Sequence, residues 1–204
     1  MVQHVRNILK IYDQATPCEV DAGVTWYASA NAECCAIAKA NSLHINRVVG
    51  VVSALSPNNK WHRNLNDARN MVTTYREGGH VEDVTVCTYR AMRSKAWSVL
   101  DADTSELPDV LTILNGQKIK AFAECILGND TCVIDGHAYN IAQGKRLSLT
   151  SDKVNMGVRV YRELQAAYVR AGKLRDLKGY EMQAITWTAW RRLHKIDTSA
   201  MKSI

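Results

Sequence analysis

Between Ile113 and Ala142 the chain reads ILNGQKIKAFAECILGNDTCVIDGHAYNIA, and the order of residue types there leaves few ways to fold. Leu114-Asn115-Gly116-Gln117-Lys118 is a tight turn out of the apolar segment Val110 to Leu114. It leads into a helix with Ile119, Phe122, Ala123, Ile126 and Leu127 on one face, stopped by Gly128. Val133 and Ile134 then bring the chain to Asp135, and Gly136-His137 opens the next helix. An Asp directly before a helix accepts hydrogen bonds from the first free backbone amides at the positive end of the helix dipole, which favours a carboxylate. Two roles are open to it: an ordinary helix cap, or a fixed negative charge beside apolar residues that can stabilise a cation.

Elsewhere the same helical period dominates. Val2 to Gln14 carries Val2, Val5, Ile8, Leu9 and Tyr12 on one stripe; Thr16-Pro17 ends it, and a loop is expected through Gly23. Thr25 to Asn41 is an alanine-rich helix whose small side chains allow close packing. Ile45 to Leu55 is too continuously apolar for a surface helix, and its valines suit a strand equally well. In a chain otherwise helical it is expected as a buried central helix, stopped by Ser56-Pro57-Asn58-Asn59. Lys60 to Tyr75 follows as an amphipathic helix with Trp61, Leu65, Ala68, Met71, Val72 and Tyr75 inward. After the Gly78-Gly79 break, Val84 to Leu100 is a basic helix, and an acidic loop leads to Pro108 in the first turn of the next one. Ser151 is expected to cap a long helix to Ala171 with Val158 inward, and Tyr180 to Lys195 is the last helix, apolar on more than one face. The fold class is all-α.

Helix, Gly-containing hairpin, helix, short loop and an Asp at a helix start form an order that resembles the helix-hairpin-helix DNA glycosylase superfamily. The residues that carry the resemblance are Leu114, Gly116, Lys118, Ala121, Gly128, Val133, Asp135 and His137. Val48 to Asn58, VVGVVSALSPN, is similar to the apolar helix from which that superfamily sends a residue into the DNA stack, and Ser94-Lys95-Ala96 stands where the family often has a Lys-Ala pair. The matches span Ile45 to Ala142. The usual hairpin has two glycines and here has Gly116 alone, and the interval from Lys118 to Asp135 is shorter than the family's lysine nucleophile requires. That role falls to Lys118, to Lys120 or to neither.

The resemblance implies a two-lobed helical fold: a central helical barrel over residues 45–133 containing the hairpin, and a second lobe formed by residues 1–44 and 134–204. It implies an enzyme that binds duplex DNA, flips a damaged or modified base and cleaves its N-glycosidic bond. Asp135 would stabilise the positive charge that develops on the sugar, and Lys118, if deprotonated, would form an imine and permit strand cleavage. Asn58, Asn59, Lys60, Gly116, Gln117, Lys120 and His137 would contact DNA, Asn58 filling the hole left by the flipped base and the hairpin amides meeting a phosphate. Trp187 and Gln183 are weaker candidates for a base pocket, as is Trp61 for stacking, since both tryptophans also suit a core. Some viral proteins that resemble the superfamily act instead in thymine hypermodification, displacing pyrophosphate from an activated hydroxymethyl pyrimidine with an amine. A non-catalytic DNA-binding module is the third reading.

Composition sets outer bounds on all of these. Lys and Arg number 26 against 20 Asp and Glu, a net charge of +6 that favours polyanionic partners without requiring one. No run of apolar residues is long enough for a membrane span, and MVQHVRNILKIYDQ lacks a signal-peptide core, so a cytoplasmic monomer, of phage type by its resemblance, is expected. The cysteines Cys18, Cys34, Cys35, Cys87, Cys125 and Cys132 form no Cys-x-x-Cys pair and fit reduced core thiols. None follows Cys132, which excludes the superfamily's iron-sulfur cluster, and the histidines lack helical metal-ligand spacing; no metal and no cofactor is expected.

Overall fold

The structure is a computed structural model of the chain and describes residues 1–149 and 156–196. Every regular element among them is helical. In chain order these are α1 (Val2–Tyr12), α2 (Pro17–Ala40), α3 (Ile45–Ala54), α4 (Trp61–Arg76), α5 (Arg90–Leu100), α6 (Leu107–Leu114), α7 (Gln117–Ile126), α8 (Gly136–Gln143), α9 (Val158–Lys173) and α10 (Gly179–Leu193), with a short 3-10 turn at Val81–Asp83. None of the described helices is long and apolar enough to cross a membrane.

The chain divides into two compact units. One consists of Met1–Ala28 with the described residues from Gly128 onward, and the other of Ser29–Leu127. The expected boundaries are at 44/45 and 133/134; the observed divisions fall at 28/29, inside the single helix α2, and at 127/128.

In the Ser29–Leu127 unit, α3 is the axis on which α4, α5, α6 and α7 pack. Val48 to Leu55 are all buried. The valine-rich run forms a helix because apolar partners surround it, which outweighs the modest β preference of its side chains. At Gly50 a Cβ would lie 2.7 Å from Val110 Cγ1 and 2.8 Å from Val99 Cγ1, so the missing side chain lets α5 and α6 close on α3. Arg47 fixes the far end, donating to Leu100 O at 2.7 Å, to Ser105 Oγ at 2.9 Å and to Ala102 O, and so caps the last carbonyls of α5. The helix expected from Val84 begins only at Arg90. Val84 to Thr88 stays outside the helix and bends at Cys87 and Thr88, with Cys87 N donating to Asp67 Oδ2 at 2.8 Å and Thr88 Oγ1 to Pro57 O at 2.5 Å.

In the other unit α1 and the start of α2 join α8, α9 and α10. Thr16-Pro17 ends α1, as expected, but it also starts α2. Thr16 N donates to Glu19 Oε2 at 2.8 Å and Glu19 N to Thr16 Oγ1 at 3.3 Å, a reciprocal capping box with proline at the first helical position. Gly23 therefore lies within a helix, where a Cβ would meet Ile185 Cγ1 of α10 at 2.4 Å. The C-terminal end of α8 is tied to α1 through Ala142 O, which accepts from Asn7 Nδ2 at 2.8 Å and lies 3.0 Å from His4 Nδ1. Ser151 and Val154 lie outside the described residues; α9 is observed from Val158, which is exposed rather than inward, with Gly157 as its cap.

Candidate active site

Asp135 is the N-cap of α8, in extended conformation, with Oδ1 accepting from Ala138 N at 2.8 Å. Its second oxygen is engaged from another helix: Trp187 Nε1 of α10 donates to Oδ2 at 2.9 Å. Both side chains are half-buried. The carboxylate therefore holds one donor on each oxygen, with lone pairs remaining on both.

The chain on either side of Asp135 shows why it stands where it does. Residues 130–134 form no helix of their own and are pinned by side chains of α9 and by the start of α10. Gln165 Nε2 donates to Thr131 Oγ1 at 2.9 Å and to Cys132 O at 3.0 Å, and Ile134 N donates to the buried Tyr161 hydroxyl at 3.0 Å. Asp130 Oδ1 accepts from Gly179 N at 2.8 Å, capping the first turn of α10. Gly179 permits that contact, because a Cβ there would sit 2.7 Å from Val169 Cγ2 and 3.0 Å from Thr131 O. Cys132, Val133 and Ile134 are buried and anchor the loop from below. On the far side, Tyr168 is completely buried and donates to Ala138 O at 3.1 Å. Burial pushes its phenol well above the usual tyrosine range, and the negative charge of Asp135 adds to that push.

Trp187 links this anchor to two further groups. His137, two residues into α8, meets its ring edge-on with centroids 6.0 Å apart, and the Arg191 guanidinium lies 4.3 Å from the Trp187 centroid. A cation over an indole face draws electron density and strengthens the ring N–H as a donor. Asp135, His137, Trp187 and Arg191 thus form one constellation: a carboxylate, an imidazole and an aromatic plate backed by a positive charge. Gln183, on the same helix, is 7% exposed, leaving little of it to meet a ligand.

The remaining candidates belong to the Ser29–Leu127 unit. Asn58 is exposed and held in a left-handed turn at φ +53°. Asn59 turns inward and donates to Leu55 O at 3.2 Å and to Asp67 Oδ2 at 3.0 Å, whereas Lys60, the N-cap of α4, is exposed. Trp61 is half-buried against Phe122, ring edge to face. The turn between α6 and α7 has Asn115 at φ +41° and Gly116 at φ +123°, and no side chain caps the first turn of α7. Lys95 Nζ donates to Leu114 O at 2.6 Å and to Asn115 O at 3.3 Å, closing the end of α6. Gln117 and Lys120 are partly exposed and Lys118 is exposed. Burial raises the Glu124 carboxyl, and Lys120, one turn before it, opposes that rise.

Sequence reasoning singled out Asp135, His137 and Trp187 separately and missed Arg191. The signal available was its spacing of four from Trp187 on one helix. Among the described residues no three His, Cys, Asp or Glu side chains converge as a metal site. No curated protein and no solved structure matches the chain. Residues 1–194 match the model of a family of unknown function, DUF7178, and the chain belongs to that family.

Proposed function

We propose that this chain is a DNA glycosylase-like enzyme, acting as a cytoplasmic monomer, that binds duplex DNA, extrudes a damaged or modified base and hydrolyses its N-glycosidic bond. The observation that carries the proposal is the setting of Asp135: a half-buried carboxylate at a helix N-terminus, held on one oxygen by a backbone amide and on the other by an indole N–H. Breaking a glycosidic bond develops positive charge on the sugar, and a carboxylate already fixed in place lowers the energy of that state without reorganisation. Asp135 would stabilise that charge and orient the attacking water.

The turn between α6 and α7 supports a binding role, since its uncapped amides and Lys118 suit phosphate oxygens. Asn58, exposed on a fixed left-handed turn, suits the group that fills the vacated stack. The exposure of Lys118 keeps its amine in solvent rather than against an enclosed reaction centre, which favours water over lysine as the nucleophile.

Incubation with a panel of duplexes carrying single modified bases tests the proposal. At least one should yield an abasic site, and Asp135→Asn should lower that rate by about 100-fold or more while binding persists. A base that gains mass without an abasic product would place the chain in base hypermodification, and salt-sensitive binding with neither product would make it a non-catalytic module. No binding at low salt would end all three readings.

A further inference from the structure

Beside the Asp135 constellation the same unit holds a pocket of about 410 Å³ that the proposed chemistry does not use. His137 and Asn140 of α8, Trp190 of α10, Arg146 and Leu147 beyond α8, and Ile196 line it; Asp135 does not. Two polar atoms of its lining residues are orphaned. Asn140 Oδ1 and Trp190 Nε1 are buried, and neither has a hydrogen-bond partner among the described residues. The side chain of Asn140 is otherwise fixed, its Nδ2 donating to Leu147 O at 2.9 Å, which leaves the oxygen as an unused acceptor. An unsatisfied buried polar group costs about 1–3 kcal/mol, so one stranded acceptor and one stranded donor lining a single pocket mark it as a place where a ligand restores what folding leaves unmet.

The rest of the lining narrows the chemistry. No carboxylate stands among the described residues that line the pocket, and Arg146 is exposed with a positively charged guanidinium, which favours an anionic group. Leu147, Leu149 and Ile196 supply apolar surface for a flat body. The volume lies within the range of about 300–1,000 Å³ usual for small-molecule sites. A flat ring with adjacent donor and acceptor on one edge, joined to an anion, describes a nucleotide, because every nucleobase presents such an edge. We propose that this pocket binds a nucleoside monophosphate, with the base edge on Asn140 Oδ1 and Trp190 Nε1 and the phosphate on Arg146. The pocket shares His137 with the Asp135 constellation but makes no use of the Asp135 carboxylate, and it stands or falls without that chemistry.

The full chain, titrated with 2′-deoxynucleoside 5′-monophosphates and followed through the indole N–H resonances, tests the site. Loss of one resonance in Trp190→Phe identifies the reporter. Expected is a saturable shift of that resonance with at least one monophosphate, weakened about tenfold by Arg146→Ala or by removing the phosphate from the probe. Arg146 is exposed, so its replacement leaves the fold intact. No shift at millimolar nucleotide, an equal shift with inorganic phosphate alone, or an affinity indifferent to Arg146→Ala would each overturn the proposal. Competition by a short 5′-phosphorylated single strand separates two sources of the same chemistry: displacement supports a strand residue as the natural occupant, and its absence supports a free nucleotide. The base-excision panel reads a different residue and product, so failure of either experiment leaves the other informative.

Discussion

Asp135 and the turn between α6 and α7 both sit at helix starts, yet they are built in opposite ways. Around Asp135 the neighbouring groups are tied down from several helices: Gln165, Tyr161 and Gly179 hold the approach, Ala138 N and Trp187 hold the carboxylate, and Arg191 backs Trp187. At the hairpin only the backbone is fixed, by Lys95 on Leu114 O and Asn115 O, while Lys118 reaches into solvent. A group that meets a developing charge gains from being immobile, because reorganisation during the reaction is avoided. A group that meets a phosphate needs only charge and reach, which solvated side chains supply. Under the proposed function the contrast suits chemistry at the first region and grip at the second.

The sharpest way to break that contrast is to loosen the scaffold under Asp135. Gly179→Val places side-chain atoms against Val169 and the backbone of Thr131, where a single Cβ already lies at 2.7 and 3.0 Å. Overpacking and loss of the Asp130 cap together should cost about 3 kcal/mol in chemical denaturation. A change below about 1 kcal/mol would mean that the loop before Asp135 yields easily, and that its many anchors do not make it rigid.

Trp187→Phe tests the carboxylate itself. A smaller aromatic ring remains between His137 and Arg191, and the N–H to Oδ2 is lost. Turnover of whichever duplex proves to be a substrate should fall about tenfold with duplex affinity unchanged, the signature of an interaction made for the reaction rather than for binding. A fall in affinity with turnover preserved would move Trp187 from positioning to the binding surface.

How far these regions were legible follows from where their determinants lie in the chain. Asp135 could be read directly, because an Asp followed by Gly-His and preceded by an apolar run is a local helix-start signal. Its pairing with Trp187 could not: Trp187 lies 52 residues away and stands out in sequence only as a weak base-pocket candidate on an apolar helix. Thr16-Pro17 carried both a stop and a start, and Glu19, three residues on from Thr16, is what turns it into a capping box. Gly23 looked like punctuation, but packing against Ile185, distant in sequence, is what requires it. Val84 to Thr88 has helical spacing, yet the Asp67 carboxylate captures Cys87 N and holds the segment out of the helix. Local signals survive in sequence, whereas contacts between distant helices do not, and it is such contacts that complete the Asp135 site.

On the hairpin side the effects should be smaller and of a different kind. Lys95→Ala removes a charged donor from Leu114 O and Asn115 O and should destabilise the chain by about 1–2 kcal/mol, read as a shift in the urea midpoint. Lys118→Ala should leave the midpoint in place and weaken duplex binding by nearly the same factor for every sequence, lowering the slope of log affinity against log salt by about 0.9. If Lys118→Ala instead abolished turnover at unchanged affinity, lysine would be the nucleophile and the hairpin would share in the chemistry.

The smallest effect concerns the far end of α10, the helix that carries both Trp187 and Arg191. Glu19, 9% exposed, accepts from Arg192 Nε at 2.8 Å and Nη2 at 3.1 Å as well as from Thr16 N. Burial alone would raise its carboxyl, but the Arg192 bonds and the Thr16 amide outweigh it, and the net shift is downward. A carboxyl held below its unfolded value adds stability that is present above the ordinary carboxylate range and is lost as pH falls through the lowered folded value. Arg192 is largely open to solvent, so the contribution should not exceed about 1 kcal/mol. Melting temperatures of the wild type and Glu19→Gln, compared from neutral pH down to about pH 3, should differ at neutrality and converge in acid. Parallel curves across that range would mean that Glu19 acts only as the capping partner of Thr16, leaving α10 to be held by the apolar packing of Ile185 against α2.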